Sequence, residues 1–258
     1  MSLRPLPALG DNYIWLLADV AAGSALVVDP GEARPVLAAL AADDLRLTTI
    51  LLTHHHADHI GGVPELLARF PDAAVLAPRD ERIPGATRRV ADGDTVAIAS
   101  PAAHFDVLEV HGHTRTHVAY HGEGLLFCGD TLFSLGCGRV FEGTPDEMLA
   151  SLDRLAGLPG NTQVCCAHEY TLANAAFALT VDPDNRALIA RADVARTLRT
   201  RHQPTLPTLL EEERAANPFL RVAAINDTRM PWPAGAQPSR RRVDRFAALR
   251  AAKDTFHA

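Results

Sequence analysis

Six consecutive residues constrain this chain more than anything else in it. His54-His55-His56-Ala57-Asp58-His59 sets four histidines and an aspartate directly behind the apolar, β-rich run Thr49-Ile50-Leu51-Leu52 and its closing Thr53. A strand that ends in so many ligand-type side chains must end where they can converge, at the edge of a sheet. In extended backbone, positions i and i+2 project to the same side, so His54 and His56 can share one ion. Asp58 and His59 come after the turn and can face a second. Neutral imidazole and carboxylate suit zinc, iron or manganese.

The rest of the histidine content points the same way. Nine of the twelve histidines fall in two short windows, one made of His54, His55, His56 and His59, the other of His104, His111, His113, His117 and His121. Three further strand ends carry a candidate ligand: Gly112-His113-Thr114 after Val107–Val110, Gly129-Asp130-Thr131 after Leu125–Phe127, and Ala167-His168-Glu169 after Val164–Cys166. Each alone is weak, because a lone strand-end His or Asp is often structural. Their shared position makes the case. Asp29, ending the run Ala25–Val28, either orients a ligand histidine from behind or caps the turn at Pro30-Gly31. His55 and His117 read as residues that support the ligands or the structure, and His104, His111 and His121 stay unassigned.

Composition removes several alternatives. Of 258 residues, 47% are hydrophobic and 22% charged, which describes a folded chain. A net charge of −6 argues against nucleic acid, whose binding draws on Lys and Arg. No apolar run reaches the roughly 18 residues of a membrane helix, and the N-terminus lacks a secretory signal, so a cytoplasmic protein is expected. Four cysteines, two of them adjacent, make neither a disulfide scaffold nor a Cys-x-x-Cys site.

Strand-like runs at 13–17, 25–28, 49–52, 75–77, 107–110, 118–120, 125–127 and 164–166 alternate with helical stretches at 34–42, 63–69 and 146–156. Thr144-Pro145-Asp146-Glu147 predicts the start of the last of these, with Thr as N-cap and Pro in the first turn. The run 164–166 is expected to be the final strand. Beyond about residue 170 the texture turns Ala-, Leu- and Arg-rich, and helices are expected over 172–179, 185–201, from Thr208 (as a capping box) and over 243–253. Pro231 to Pro238 reads as an extended connection. The division expected is an α/β domain over 1–169 and a helical domain over 170–258.

With these motifs in view, the chain resembles the metallo-β-lactamase superfamily through Thr53-His54-His55-His56-Ala57-Asp58-His59-Ile60-Gly61-Gly62. Within it, the chain resembles the glyoxalase II family of hydroxyacylglutathione hydrolases. The family-level motifs are Gly112-His113-Thr114, Cys128-Gly129-Asp130-Thr131-Leu132-Phe133, Gly136-Cys137-Gly138-Arg139, Cys166-Ala167-His168-Glu169-Tyr170-Thr171 and Arg250-Ala251-Ala252-Lys253-Asp254. The resemblance implies a four-layer αββα sandwich followed by a C-terminal helical substrate-binding domain. It implies that His54, His56 and His113 bind one metal, that Asp58, His59 and His168 bind the other, and that Asp130 bridges the two. Two divalent ions are implied, zinc first, with iron or manganese as alternatives.

Two neighbouring cations lower the pKa of a shared water from 15.7 to about 7, which provides hydroxide to attack a carbonyl. Asp58 and Asp130 are the catalytic carboxylates in this scheme. A thiolate leaves with a parent pKa of about 8.5 and needs no general acid, so a thioester suits the site. The resemblance implies hydrolysis of S-D-lactoylglutathione to D-lactate and glutathione, in methylglyoxal detoxification; a monomer is expected. Arg250 and Lys253 alone read as a solvated helix face; the resemblance makes them a clamp for the glutathione carboxylates. Arg139 stands where some relatives have Lys, and Tyr170 matches a tyrosine that contacts glutathione. Phe141 stands where relatives often have Tyr, which removes one hydroxyl from the substrate site. Cys137 is not expected to act as a nucleophile, because the metals supply one. A mononuclear iron dioxygenase would not need Asp58, His59 and His168; a nuclease would want a basic surface; a binding protein would not need a bridging carboxylate.

Overall fold

The structure is a computed structural model and describes residues 1–257. It comprises two compact units: Met1–Glu109 with Thr116–Gly129, and Val110–Arg115 with Asp130 onward.

In the first unit, β1 (Ser2–Ala8), β2 (Asn12–Asp19), β3 (Ser24–Val28), β4 (Arg46–Leu51), β5 (Ala74–Pro78) and β6 (Arg88–Val90) form one sheet in chain order. The first three pair antiparallel and the last four parallel. Parallel neighbours need a crossover, supplied by α1 (Arg34–Ala42) before β4, and by α2 (Ala57–Ile60) and α3 (Val63–Arg69) before β5. β3 is buried along its whole length, as in a sheet covered on both faces. Ile14, Leu16, Val27, Ile50 and Val75 pack with Val36, Leu40 and Leu66 of the helices. The alternate residues Trp15, Leu17, Leu26, Leu51 and Leu76 are buried too, on the opposite face.

β7 (Thr95–Ala99), β8 (Ala102–Glu109), β9 (Val118–Gly122) and β10 (Leu125–Gly129) follow as antiparallel neighbours. Val96, Ile98, Ala103, Phe105 and Val107 are buried while their neighbours face water, so β7 and β8 cover a core on one side only. His104 lies on the solvent side. From β9, the Tyr120 hydroxyl lies 3.0 Å from the Leu52 carbonyl and 3.3 Å from that of Leu76. Burial holds this phenol far above its ordinary titration range, so it remains a donor. The Val118 N–H donates to the Thr53 carbonyl at 2.9 Å, which pins the end of β4 where the histidines begin.

The second unit contains the short hairpin β11 (Leu132–Phe133) and β12 (Gly136–Cys137), α4 (Pro145–Ala156) and β13 (Gln163–Cys166). After these come α5 (Thr171–Val181), α6 (Arg186–Thr200), β14 (Thr208–Leu209), α7 (Leu210–Ala216), a 3₁₀ turn at Asp227–Arg229 and α8 (Arg242–Asp254). Ala175, Ala178, Leu188, Ala192 and Ala216 pack α5, α6 and α7 around Leu135. Small alanines let these helices approach closely. Among the described residues, no helix is long and apolar enough to cross a membrane.

α4 begins as its sequence requires. The Thr144 hydroxyl accepts from the Glu147 N–H at 3.2 Å, and the Glu147 carboxylate accepts from the Thr144 N–H at 2.7 Å. Thr144→Ala is therefore expected to cost about 1 kcal/mol and to lower the thermal midpoint by about 2–4 °C. Calorimetry of the two proteins checks this.

Two expectations fail at β14. The strand at 164–166 is not the last one, because Thr208 and Leu209 pair with Val164 and Gln163. For the same reason Thr208 is not an N-cap. It belongs to the strand, Leu209 takes the cap position, and Glu212 reaches back to the Leu209 N–H at 3.4 Å. Asp58 and His59, expected to follow a turn, lie within a one-turn helix, α2. β1, β6 and β7 were not anticipated from the sequence.

Candidate metal centre

Each unit presents a cluster of imidazole and carboxylate. In the first, the cluster is built on a backbone contact. A Cβ on Gly62 would stand 2.5 Å from the Glu32 carbonyl carbon, and one on Gly31 would stand 1.9 Å from the Asp58 backbone carbonyl oxygen. Glycine at both places lets the loop after β3 touch the start of α2 and α3. That contact brings Asp29 against the histidines. Asp29 adopts a left-handed φ of 52°. Its buried carboxylate accepts from the Thr53 N–H at 2.8 Å and hydroxyl at 2.6 Å, and lies 3.0 Å from His59 Nδ1. Of the two readings of Asp29, the geometry matches orientation of a histidine: the carboxylate takes the Nδ1 hydrogen and leaves Nε2 to bind.

His54 is held in a similar way. Its Nδ1 lies 3.0 Å from the Thr53 hydroxyl, and its Nε2 lies 3.0 Å from His56 Nδ1. The His117 ring stacks on it at 4.6 Å and 19°. His55 points away, with Nδ1 3.5 Å from Asp80. Asp80 is held well below the usual carboxylate range, chiefly by Arg82, and also accepts from Thr116 at 2.6 Å. Asp58 lies 3.4 Å from His59 Nε2 and accepts from the Asn12 side-chain amide at 3.0 Å. Asn12 is a residue that sequence reasoning missed. Its only signal is a buried amide at the mouth of an apolar strand.

In the second unit, Asp130 is flanked by two imidazoles. Its Oδ2 lies 3.4 Å from His113 Nε2 and its Oδ1 3.3 Å from His168 Nε2. All three residues are buried. His113 Nδ1 donates to the Arg139 carbonyl at 2.9 Å, which directs Nε2 at the carboxylate. His168 stacks on Tyr170 at 4.7 Å and 5°.

These separations test whether a metal fits. Two ligands each about 2.0–2.2 Å from a tetrahedral ion stand about 3.4 Å apart, whereas a good N–H···O bond is shorter, roughly 2.7–3.2 Å. The pairs His113–Asp130, His168–Asp130 and His59–Asp58 all stand at 3.3 or 3.4 Å. The donors are imidazole and carboxylate, with the outer nitrogens of His59 and His113 already held. They fit.

Beside Asp130 and His113 lies a cavity of about 490 Å³, lined also by Phe133, Cys137, Arg139, Phe141, Tyr170, Arg250 and Lys253. Arg250 is buried and donates to the Cys137 carbonyl at 2.7 Å and to Asp254 at 3.2 Å. Burial, with Arg250 and Arg139 nearby, lowers the Lys253 ammonium below its ordinary range. An anion in the cavity would relieve that crowding of positive charge. Phe141 is exposed at the rim, its ring 5.2 Å from that of His113. Burial pushes the Cys137 thiol up to about 11, so it is protonated at neutral pH and not a nucleophile. His111 is engaged through its carbonyl, which accepts from Ser151, and His121 is lowered by burial, against Asp106.

Comparison with known proteins agrees over the whole length. The family model for the metallo-beta-lactamase superfamily matches residues 8–168, and that for the hydroxyacylglutathione hydrolase C-terminus matches residues 169–256. A hydroxyacylglutathione hydrolase of Xanthomonas campestris pv. campestris (strain B100) is 56% identical over 259 residues, covering 100% of both chains. Among solved structures, ETHE1 from Myxococcus xanthus is similar with a TM-score of 0.64 and 26% identity, covering 100% of both chains. TTHA1623 in a di-iron-bound form is similar with a TM-score of 0.55 and 27% identity, covering 64% of this chain and 91% of that one.

Proposed function

Because the chain belongs to the hydroxyacylglutathione hydrolase family, with the metallo-β-lactamase fold and its C-terminal helical domain, we propose that it hydrolyses S-D-lactoylglutathione to D-lactate and glutathione. This is the hydrolytic step of methylglyoxal detoxification. The observation that carries the reading is Asp130 held between two imidazoles at ligand spacing, on the wall of a cavity with three cationic side chains.

His54, His56 and His113 would hold one metal ion, Asp58, His59 and His168 a second, and Asp130 both. Zinc suits these donors, as do iron and manganese. When bound, the ions supply activated water at neutral pH and an electrophile for the thioester carbonyl. The chain's own residues set the rest. Asn12 fixes the Asp58 carboxylate, Asp29 and the Arg139 carbonyl hold the Nδ1 hydrogens of His59 and His113, and the thiolate departs without an acid. Arg139, Arg250 and Lys253 would take the glutathione carboxylates, with Tyr170 and Phe141 against the tripeptide. We assign residues 1–169 to the catalytic domain and 170–258 to the substrate-binding domain. We place the protein in the cytoplasm, where glutathione keeps thiols reduced, as a monomer without nucleic-acid or membrane partners.

Phe141→Tyr is expected to lower KM by about two- to tenfold, the worth of one added hydrogen bond, with kcat unchanged. Steady-state kinetics on the two proteins decides it.

The proposal itself is tested by following thioester loss with S-D-lactoylglutathione, with and without a strong chelator. Rapid hydrolysis that the chelator abolishes is expected. No hydrolysis by protein shown to carry two metals would overturn the substrate, and oxygen consumption by a one-iron protein would overturn the reaction class.

A further inference from the structure

Asp130 and Arg139 stand at the two feet of the β11–β12 hairpin, and that hairpin is gripped from outside the cavity. Its turn is Ser134-Leu135, with Leu135 at a φ of 58°, a conformation that favours glycine. Something must hold leucine there. Glu213 of α7, fully buried, accepts from the Ser134 hydroxyl at 2.7 Å and from the Leu135 N–H at 2.8 Å. Asn217, one turn on and also buried, accompanies it. Its amide donates to Glu213 at 3.1 Å and to the Phe133 and Gly136 carbonyls at 3.0 and 2.9 Å, one on each strand of the hairpin. Arg191 of α6 donates to the Ser134 hydroxyl at 3.2 Å and to the Thr205 carbonyl at 2.7 Å. The Ser134 hydroxyl thus receives hydrogen from Arg191 and passes its own to the Glu213 carboxylate.

A buried carboxylate is costly, and burial does raise the pKa of Glu213. An apolar residue would pack this helix more simply. What the carboxylate adds is a fixed position for the hairpin's backbone. At the feet, the Gly138 N–H donates to the Thr131 carbonyl at 3.1 Å, and a Cβ on Gly138 would stand 1.8 Å from the Asp130 backbone carbonyl oxygen. The Arg139 carbonyl then meets His113 Nδ1, and the Cys137 carbonyl meets Arg250. The shift of one turn therefore reaches a metal ligand, the group that orients a second ligand, and the cation clamp.

We propose that Glu213 is a positioning residue: through Ser134 and Leu135 it sets the hairpin that carries Asp130 and Arg139, and so couples the C-terminal helices to metal affinity and to substrate binding. This rests on the reading of Asp130 as a metal ligand. It touches neither metal nor substrate itself.

The test uses the full chain, with Glu213→Gln and Ser134→Ala beside the wild type. Zinc affinity is measured by competition with a chromophoric chelator, kcat and KM with S-D-lactoylglutathione, and stability by thermal melting. Outer partners of metal sites typically matter by 10–100-fold. Glu213→Gln should weaken zinc binding by about tenfold or more and lower kcat/KM at least as far, while still melting in one cooperative step. A lowered midpoint with zinc affinity and kinetic constants within twofold of wild type would make Glu213 merely structural. If Glu213→Gln does not fold, Ser134→Ala decides: it removes one hydrogen bond to the same carboxylate, and wild-type zinc affinity in that folded variant overturns the proposal. The zinc arm needs no substrate, so failure of the wild type to hydrolyse would count against the substrate assignment alone.

Discussion

Asp130→Ala is expected to lower kcat by at least about a hundredfold and to reduce bound metal well below two ions per chain. The size follows from geometry. Both oxygens of Asp130 face an imidazole Nε2 at 3.3 and 3.4 Å, so one substitution removes the carboxylate common to two histidines. Mutation of partners that only orient a ligand already costs about 10–100-fold, and a ligand lying between two ions should cost more. Asp130→Asn refines the result. It keeps the shape but offers one oxygen where the proposed bridge would use two, so one imidazole would face an N–H, and metal affinity should fall between wild type and alanine. Elemental analysis and thioester hydrolysis on the same preparations measure both effects. Normal turnover with two ions bound would remove Asp130 from between the metals.

Replacing the clamp should act on the other kinetic constant. Lys253→Ala is expected to raise KM by roughly tenfold or more, the worth of one hydrogen bond to a charged group, with kcat within about twofold. The proposed clamp would hold a part of the substrate that does not react, and losing such binding spares kcat. Arg250→Ala differs from Lys253→Ala, because Arg250 also satisfies the buried Cys137 carbonyl. Leaving that carbonyl unpaired should cost about 1–3 kcal/mol of stability as well. The double variant should raise KM by on the order of a hundredfold or more, while only proteins lacking Arg250 melt early. A large fall in kcat at unchanged KM for Lys253→Ala would refute the clamp.

What the sequence discloses and what it withholds follow a physical division. α1 and α3 are found at the limits their composition predicts, Arg34–Ala42 and Val63–Arg69, and the capping residues before α4 act as written. The candidate ligands stand out because several lie within a few residues of one another after apolar runs. β1 is illegible for a local reason: Pro5 and Pro7 argue against a strand, yet an edge strand tolerates them, and they pair opposite Trp15 and Tyr13. β14 has two residues and exists only because β13 is there to pair with it. Asn12 and Glu213 are hidden for another reason. Each is one ordinary polar residue whose role comes from a partner tens of residues away, Asp58 in one case and the Ser134-Leu135 turn in the other. No spacing rule reaches that far.

The Arg139 position joins two tasks of different kinds. Its backbone oxygen directs a histidine ring, while its side chain stands exposed at the cavity wall. A carbonyl belongs to every amino acid, so mutation at this codon can alter the charge offered to an incoming molecule and leave the imidazole's orientation intact. Selection, natural or in the laboratory, can therefore explore new substrates here at little risk to the chemistry, an independence that the buried and doubly engaged Arg250 does not share.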